Sequence, residues 1–244
     1  MSSPAILEPI AARAWPSRES SRLGEWTLNA ADGWSGRINS AWVLGEADRP
    51  AEEAVEAAER WYGARGLSPL FKLIEGDEGA PAGLLAARGY RPGAPTLVMT
   101  GSPTALRDPS VRIEAGPLAA FRRIFSAPEF GGAAEAAERL DAFERTPSPR
   151  AFAVLEDDKF PAAIGVGAAD AMWFGVMGMR TLGAHRRKGL GRRVLRALSA
   201  FAAGEGAEVA WLQVTAANGP ALDLYRSEGF CEAYRYRYWR KGQP

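Results

Sequence analysis

The sequence predicts an α+β protein, a mixed α/β arrangement in two halves of similar order, each a central mixed β-sheet flanked by helices. Three observations predict it. Short apolar runs of strand character alternate with amphipathic helical stretches along the whole chain. In the second half an apolar strand, Ala171–Leu182, passes through a basic, glycine-punctuated turn directly into a long helix with apolar Leu190, Val194, Leu195, Leu198, Phe201 and Ala202 on one face. The order of the first half also returns in the second. Leu44-Gly45 precedes a helix as Leu182-Gly183 does, Pro69–Ile74 answers Val209–Val214, and Arg88-Gly89-Tyr90 answers Glu228-Gly229-Phe230. Two copies are too few for a solenoid, so the halves are read as lying side by side.

Taken in order, residues 1–25 are rich in alanine and arginine, and Ile6, Leu7, Ile10, Ala11 and Ala14 share a helical face ahead of Trp15-Pro16. That predicts a short lead-in helix. A strand at Glu25–Leu28, a turn at Ala31-Asp32-Gly33 and a strand from Arg37 to Leu44 follow. Pro50 suits a helix start, and the helix runs through Arg65 to a stop at Gly66. A strand Leu70–Ile74, a short helix Ala82–Arg88 and a strand Thr96–Thr100 complete the half. The Pro/Ser-rich stretch Gly101–Ser110 reads as an exposed connector, giving domains at 1–103 and 111–244 with a linker at 104–110. Beyond it come a strand Val111–Glu114, helices Leu118–Phe125 and Ala133–Phe143, and a hairpin of Ala151–Glu156 with Ala162–Ala168. After the long helix, a strand Val209–Val214, a short helix Ala221–Glu228 closed by Gly229, and a terminal strand end the chain. Alternation in that last strand puts Tyr234, Tyr236 and Tyr238 on one face and Arg235 and Arg237 on the other; with Trp173, Phe174, Phe130 and Trp239 these aromatics could line a pocket mouth, while the favoured expectation is that one face of the strand packs against the helix before it.

Composition narrows the function. At 244 residues, with 47% hydrophobic and 24% charged, the chain has ordinary globular character and room for a sizeable core. A net charge of +1 argues against bulk nucleic acid or an anionic membrane surface as partner. One cysteine excludes an internal disulfide, and no leader-like or membrane-length apolar run is present, so a soluble, cytoplasmic protein is expected. No cluster has metal-ligand spacing.

The stretch Leu182–Arg193 reads as a phosphate cradle. The first turn of a helix leaves backbone N–H groups unpaired at the positive end of the helix dipole. Gly189 and Gly191 let that backbone approach an anion, and Arg186, Arg187, Lys188, Arg192 and Arg193 add charge around it. The spacing fits neither a dinucleotide G-x-G-x-x-G fingerprint nor an NTP-binding G-x-x-x-x-G-K-S/T loop.

What stands there, R-R-K-G-L-G, resembles the Q/R-x-x-G-x-G/A signature of the GNAT superfamily of acyl-CoA-dependent N-acyltransferases, with Arg186, Gly189 and Gly191 at its defining positions. Asn218–Phe230, NGPALDLYRSEGF, is similar to the second signature of that superfamily, N-x-x-A-x-x-L/F-Y-x-x-x-G-F. Asn218, Ala221, Leu224, Tyr225, Gly229 and Phe230 are all in register. The resemblance covers residues 111–244 completely and the first half only in part. Where the second half has its basic turn, the first has Asp48–Glu53, whose acidic groups repel phosphate, and Leu85 stands where Tyr225 does. The N-terminal half is therefore read as a degenerate, structural or substrate-shaping copy.

The resemblance implies acetyl transfer from acetyl-CoA to a primary amine by direct attack, on a small amine or on a protein N-terminus or lysine. It implies that the pyrophosphate of acetyl-CoA rests on Arg186, Arg187, Lys188, Gly189, Leu190, Gly191 and Arg192. The pantetheine would run beside the backbone of Met179-Arg180-Thr181, and an N–H near Met179 would polarise the acyl carbonyl. Asn218 would touch the cofactor, and Tyr225 would protonate the leaving thiolate. No metal is implied, and the chain is expected as a monomer or homodimer. Superfamily members often carry a glutamate five residues before the asparagine; Gln213 stands here and cannot take a proton at neutral pH. A water relay from Glu129, Glu232 or another carboxylate, or an amine that arrives neutral, is left to serve as the base route. His185 reads as a surface loop residue and Cys231 as a small buried one. The different-class alternatives are a non-catalytic acyl-CoA sensor and a nucleic-acid binder using the patch from Arg186 to Arg196.

Overall fold

The computed structural model describes residues 2–104 and 108–242. The connector expected at 104–110 falls partly on Ala105, Leu106 and Arg107, outside the described residues. In chain order the elements of the first half are α1 (Pro4–Ala14), β1 (Glu19–Leu23), β2 (Trp26–Ala30), β3 (Ala41–Val43), α2 (Ala51–Gly63), β4 (Leu70–Ile74), α3 (Gly79–Ala87), β5 (Tyr90–Pro92) and β6 (Thr96–Gly101). The second half supplies β7 (Val111–Glu114), α4 (Ala119–Phe125), α5 (Ala133–Arg145), β8 (Arg150–Asp157), β9 (Phe160–Asp170), β10 (Trp173–Thr181), α6 (Leu190–Gly204), β11 (Val209–Thr215), α7 (Gly219–Ser227) and β12 (Cys231–Lys241).

The strands form a mixed sheet flanked by helices, and the sheets of the two halves run together into one, in the order β1-β2-β3-β4-β12-β6-β11-β10-β9-β8-β7. β3 with β4, and β10 with β11, are its parallel pairs, each bridged by a crossover helix, α2 and α6. The terminal strands are exchanged. β12 lies between β4 and β6, and β6 lies between β12 and β11, so each half's last strand completes the other's portion of the sheet.

Alternation along the strands separates two faces. Leu97 and Met99 of β6 and Ala210, Leu212 and Val214 of β11 pack with α6 and α7; Val98 and Trp211 pack on the opposite face with α1, α4 and α5. A third cluster joins α2 and α3 to the first-half strands through Val55, Tyr62, Phe71 and Leu85.

Local differences from the sequence reading have local causes. The strand expected at 37–44 is only Ala41–Val43. Ahead of it Asn39 Oδ1 accepts from the N–H groups of Ala31 (2.7 Å) and Gly33 (2.9 Å). The fully buried Glu138 accepts from the N–H groups of Asp32 (2.7 Å), Trp34 (3.2 Å) and Ser35 (2.6 Å). Those donors belong to the preceding loop; within 37–40 the chain turns on itself, with Ile38 N donating to Ser35 O (3.1 Å), Asn39 Nδ2 to Ser35 O (2.9 Å) and Ser40 Oγ to Gly36 O (2.6 Å), so these residues bond locally and not in a ladder. β1, a polar ESSRL edge strand, and β5, which contains Pro92, carry little apolar signal and were not expected. The tyrosines of β12 do not pack on α7. They face α1, where Tyr234 Oη donates to Glu8 Oε1 (2.8 Å), because α7 lies on the other side of the sheet. Cys231 is exposed rather than buried, since β12 begins outside both clusters. Among the described residues no helix is long and apolar enough to cross a membrane.

Candidate active site

β10 and β11 are hydrogen-bonded only over Trp173–Val176 and Val209–Leu212. Beyond that point Met177–Thr181 stays with β9 and Gln213–Thr215 with β6, so the two parallel strands splay into a V. A bulge in β10 accompanies the splay: the register passes from Met177↔Val166 to Arg180↔Ile164, one extra residue in β10. Gly178 supplies the required conformation, with φ +58 and Phe143 and Phe125 so close that a Cβ would stand 3.1 Å and 3.3 Å from their rings. A cleft of about 1090 Å³ opens in the V.

At its upper end β10 runs through a short 3-10 turn, Gly183–His185, to the start of α6. Gly189 caps that helix in the left-handed region, φ +75, with no atom within 4 Å of where a Cβ would stand. At Gly191 a Cβ would lie 3.6 Å from both Leu224 Cδ2 and Thr181 Oγ1, an ordinary contact distance, so α6 passes α7 and β10 closely here. The first-turn residues Gly189, Leu190, Gly191 and Arg192, whose N–H groups have no intrahelical acceptor, line the cleft.

The basic side chains around this turn are braced by neighbours. Arg186 donates to Thr181 O and Glu129 Oε2, both at 3.2 Å; Arg192 donates to Ser227 Oγ (2.9 Å) and pairs with Glu228 (2.9 Å). Lys188 and His185 both reach Asp157 Oδ2 at 2.7 Å, and with them beside it the Asp157 carboxyl is held below the usual carboxylate range. Met179, Arg180, Thr181, Arg186, Arg187, Gly189, Leu190, Gly191, Arg192, Asn218 and Tyr225 all line the cleft. Lys188 is turned to the β8–β9 hairpin and is not on its wall. Leu190 has a buried side chain, so its backbone is what the cleft meets.

Tyr225 projects from α7 with 8% of its surface exposed. Burial pushes its phenol up to about 12, opposed by the positive charge of Arg37. Asn218 is the N-cap of α7, its Oδ1 accepting from Ala221 N at 3.3 Å. Of the carboxylates considered as relays, neither Glu129 nor Glu232 stands on the cleft wall. Glu129 is bound to Gly183 N (2.9 Å) and Arg186, and Glu232 to Arg235 (2.8 Å). Asp223 is the one carboxylate among the described wall residues.

The inner end of the cleft holds residues that sequence reasoning missed, Trp15 and Arg37 from the first half and Phe125 and Arg139 from α4 and α5; Phe130, expected near a pocket mouth, stands with them on the segment between α4 and α5. Arg37 donates from Nε to Gln213 Oε1 (2.9 Å) and lies 5.4 Å from the Trp15 ring; Tyr236 Oη donates to the same Gln213 oxygen at 3.2 Å. Arg180 stacks on Phe125 (3.7 Å) with Phe130 at 5.0 Å, and burial, then Arg139, lowers its guanidinium to about 10. No motif marks these positions, because each reaches the cleft through tertiary packing.

A splayed parallel pair opening on a glycine-capped helix, with a tyrosine across the gap, defines a GNAT-type acetyltransferase. Solved structures share the fold. A GCN5-related N-acetyltransferase from Kribbella flavida superposes with a TM-score of 0.70 at 20% identity, covering 98% of this chain and 96% of that one. A tandem GNAT protein from the clavulanic acid biosynthesis pathway gives 0.62 at 14% identity over 98% and 88%. A Bacillus subtilis relative, the uncharacterised N-acetyltransferase YobR, is 27% identical over 242 residues, 95% of this chain and 96% of its own. The family model described as "probable histone acetyltransferase Rv0428c C-terminal" matches residues 5–239, and the chain belongs to that family.

Proposed function

We propose that the protein transfers an acetyl group from acetyl-CoA to a primary amine by direct attack, with residues 111–244 supplying the acyl-CoA machinery and residues 1–103 shaping the acceptor end. The observation that carries this reading is the splay of β10 from β11 beyond Val176 and Leu212, between the Gly189 helix start and Tyr225. The cleft fits the group. The α6 first turn, with Arg186, Arg187 and Arg192, suits a pyrophosphate, and the Met179–Thr181 edge, which has lost β11 as a partner, suits an extended pantetheine. Acetyl-CoA supplies an activated acyl thioester.

The chain's own groups then do the rest. A backbone N–H near Met179 polarises the acyl oxygen, and Tyr225 donates its phenolic proton toward the departing sulfur. Gln213 is held by Arg37 and Tyr236 and takes no proton, so the amine enters neutral and releases its proton to water after attack. The single cysteine suits a reducing, cytoplasmic setting.

The test is a thermal-shift titration with acetyl-CoA, CoA and ATP on wild type and Gly189→Glu. A ligand at a hundred times its Kd stabilises the native state by about 2.7 kcal/mol. The expected result is stabilisation by acetyl-CoA and CoA that disappears in Gly189→Glu, with ATP weaker. No shift with either CoA species overturns the reading.

A further inference from the structure

The acceptor end of the cleft is built from three arginines on three different elements. Arg37 precedes β3, Arg139 is on α5, and Arg180 is on β10 just past the bulge. They are close enough to disturb each other: Arg37 pushes the Arg139 guanidinium down, and Arg139 does the same to Arg180, each on top of the effect of burial. Among the described residues, only Arg139 has a carboxylate partner. Arg37 holds only the neutral Gln213 and the face of Trp15; Arg180 donates to the carbonyl of Phe125 and stacks on rings. Arg139 pairs with Glu135, yet its Nε is buried with no hydrogen-bond partner. Glu138, the other nearby carboxylate, is committed to the loop at 32–39, accepting from three backbone N–H groups and from Asn39 Nδ2.

Half-buried like charges are maintained at a cost unless something of opposite sign completes them. Three other wall arginines, Arg186, Arg187 and Arg192, surround the α6 start and suit the phosphates of the acyl donor. Arg37, Arg139 and Arg180 are left for the acceptor. Around them Trp15, Phe125 and Phe130 give an apolar wall with guanidinium forks, the combination that orients a small molecule through one anionic group.

We infer that the acceptor is a small primary amine carrying a carboxylate or phosphate, held through that group by Arg37, Arg139 and Arg180. The inference rests on the acetyl-transfer reading above and narrows its acceptor. It runs against a lysine-rich tail, whose neighbouring ammonium groups meet three like charges at the same mouth.

The experiment measures thiol release from acetyl-CoA with matched amines: apolar α-amino acids, their carboxamides, aminoalkyl phosphates and a lysine-rich peptide. Carboxamides have the less basic amine and present more of it neutral, so intrinsic reactivity favours them and only recognition favours the acids. The expected result is at least a tenfold higher kcat/KM for an anionic amine than for its uncharged counterpart. Whether the acid or the phosphate leads identifies the anion. In Arg139→Gln and Arg180→Gln that anionic-to-neutral ratio falls at least tenfold, a change that general loosening of the fold does not produce, and in Arg139→Gln the KM for acetyl-CoA stays within twofold. Preference for carboxamides or for the lysine-rich peptide overturns the inference and leaves acetyl transfer standing. Transfer to none of the amines overturns it as well, and the thermal-shift titration with CoA then decides separately whether the cradle binds its donor.

Discussion

Replacing Tyr225 by phenylalanine separates chemistry from structure with unusual clarity. The ring sits against Phe230, centroids 6.1 Å apart, and 8% of the residue is exposed. Phenylalanine keeps that packing. Burial and Arg37 are what act on the hydroxyl, and no hydrogen bond to it contributes among the described residues, so its loss leaves no buried partner unpaired. Folding stability is therefore expected to change by no more than about 0.5 kcal/mol. Turnover is different. A positioned proton donor contributes about 100- to 10,000-fold, which is about 3–5 kcal/mol of barrier. Burial holds the phenol above the range of a free thiol, so on the proposed reading Tyr225 would act chiefly through a hydrogen bond that strengthens as charge builds on sulfur. The assay is steady-state thiol release with the acceptor saturating, alongside urea unfolding. The expected outcome is kcat down at least 100-fold, KM for acetyl-CoA within twofold and an unshifted unfolding midpoint. A kcat within twofold of wild type refutes the assignment.

Gly178→Ala combines a left-handed residue, costing about 1–2 kcal/mol, with overpacking against Phe143 and Phe125, about 1–3 kcal/mol. Urea unfolding should show a loss of roughly 2–4 kcal/mol, and wild-type stability would mean that β10 does not bulge there. Lys72 and Glu8 form an ion pair at 1% and 0% exposure, with the ammonium 4.1 Å from the Trp42 ring and 4.2 Å from Tyr236. Lys72→Met alone should cost about 3–5 kcal/mol by leaving a buried carboxylate unpaired, while Glu8→Leu/Lys72→Met recovers most of it; additive losses in denaturant titrations would contradict the pairing. Burial raises the phenols of Tyr62, Tyr225 and Tyr234 above the unfolded value near 10. Folded tyrosines then hold protons that the unfolded chain has released, so stability is intact below about pH 10 and falls as pH rises toward 12 and beyond. A flat melting temperature between pH 9 and 11.5 would argue that these hydroxyls are solvated. Residues 111–244 expressed alone should aggregate or remain unfolded, since β11 and β12 lose β6 and β4; a soluble, cooperative fragment would show that the strand exchange is dispensable.

The sequence made some elements legible and hid others for physical reasons. Helices and strands with a full apolar face were readable: β4 at Leu70–Ile74 and β7 at Val111–Glu114 fall where periodicity puts them, and α1 carries the expected face in Leu7, Ile10, Ala11 and Ala14. The glycine-punctuated start of α6 was readable because it is a short-range backbone device tied to fixed residue types, whereas Asn218, expected as a cofactor contact, also caps α7. The β12 tyrosines were read on one face correctly but against the wrong neighbour, since period two says which residues share a side and nothing about what covers it. The strand at 37–44 was overextended because Ile38 and Asn39 bond back to Ser35 O and Ser40 to Gly36 O, a local turn that the run of residue types does not announce.

Strand exchange is what gives the acceptor end its composition. If each half had closed its own sheet, the lip of β11 beyond Leu212 would face second-half residues alone. With β6 bonded to β11 through Thr96 and Val98, and β12 carried across to β4, the turn before β3 is drawn beneath that lip. Arg37 can then hold the Gln213 side chain and Trp15 can back it. The first half has an acidic helix start at Glu52 and Glu53 in place of a basic cradle, yet it reaches the cleft at the point where acceptor and acyl group must meet. On the proposed reading, an arginine and a tryptophan at that point would affect which amine is taken, while the second half would govern how the acyl donor is held. Divergence in the first half would then be free to alter acceptor choice without disturbing the Gly189 cradle or Tyr225.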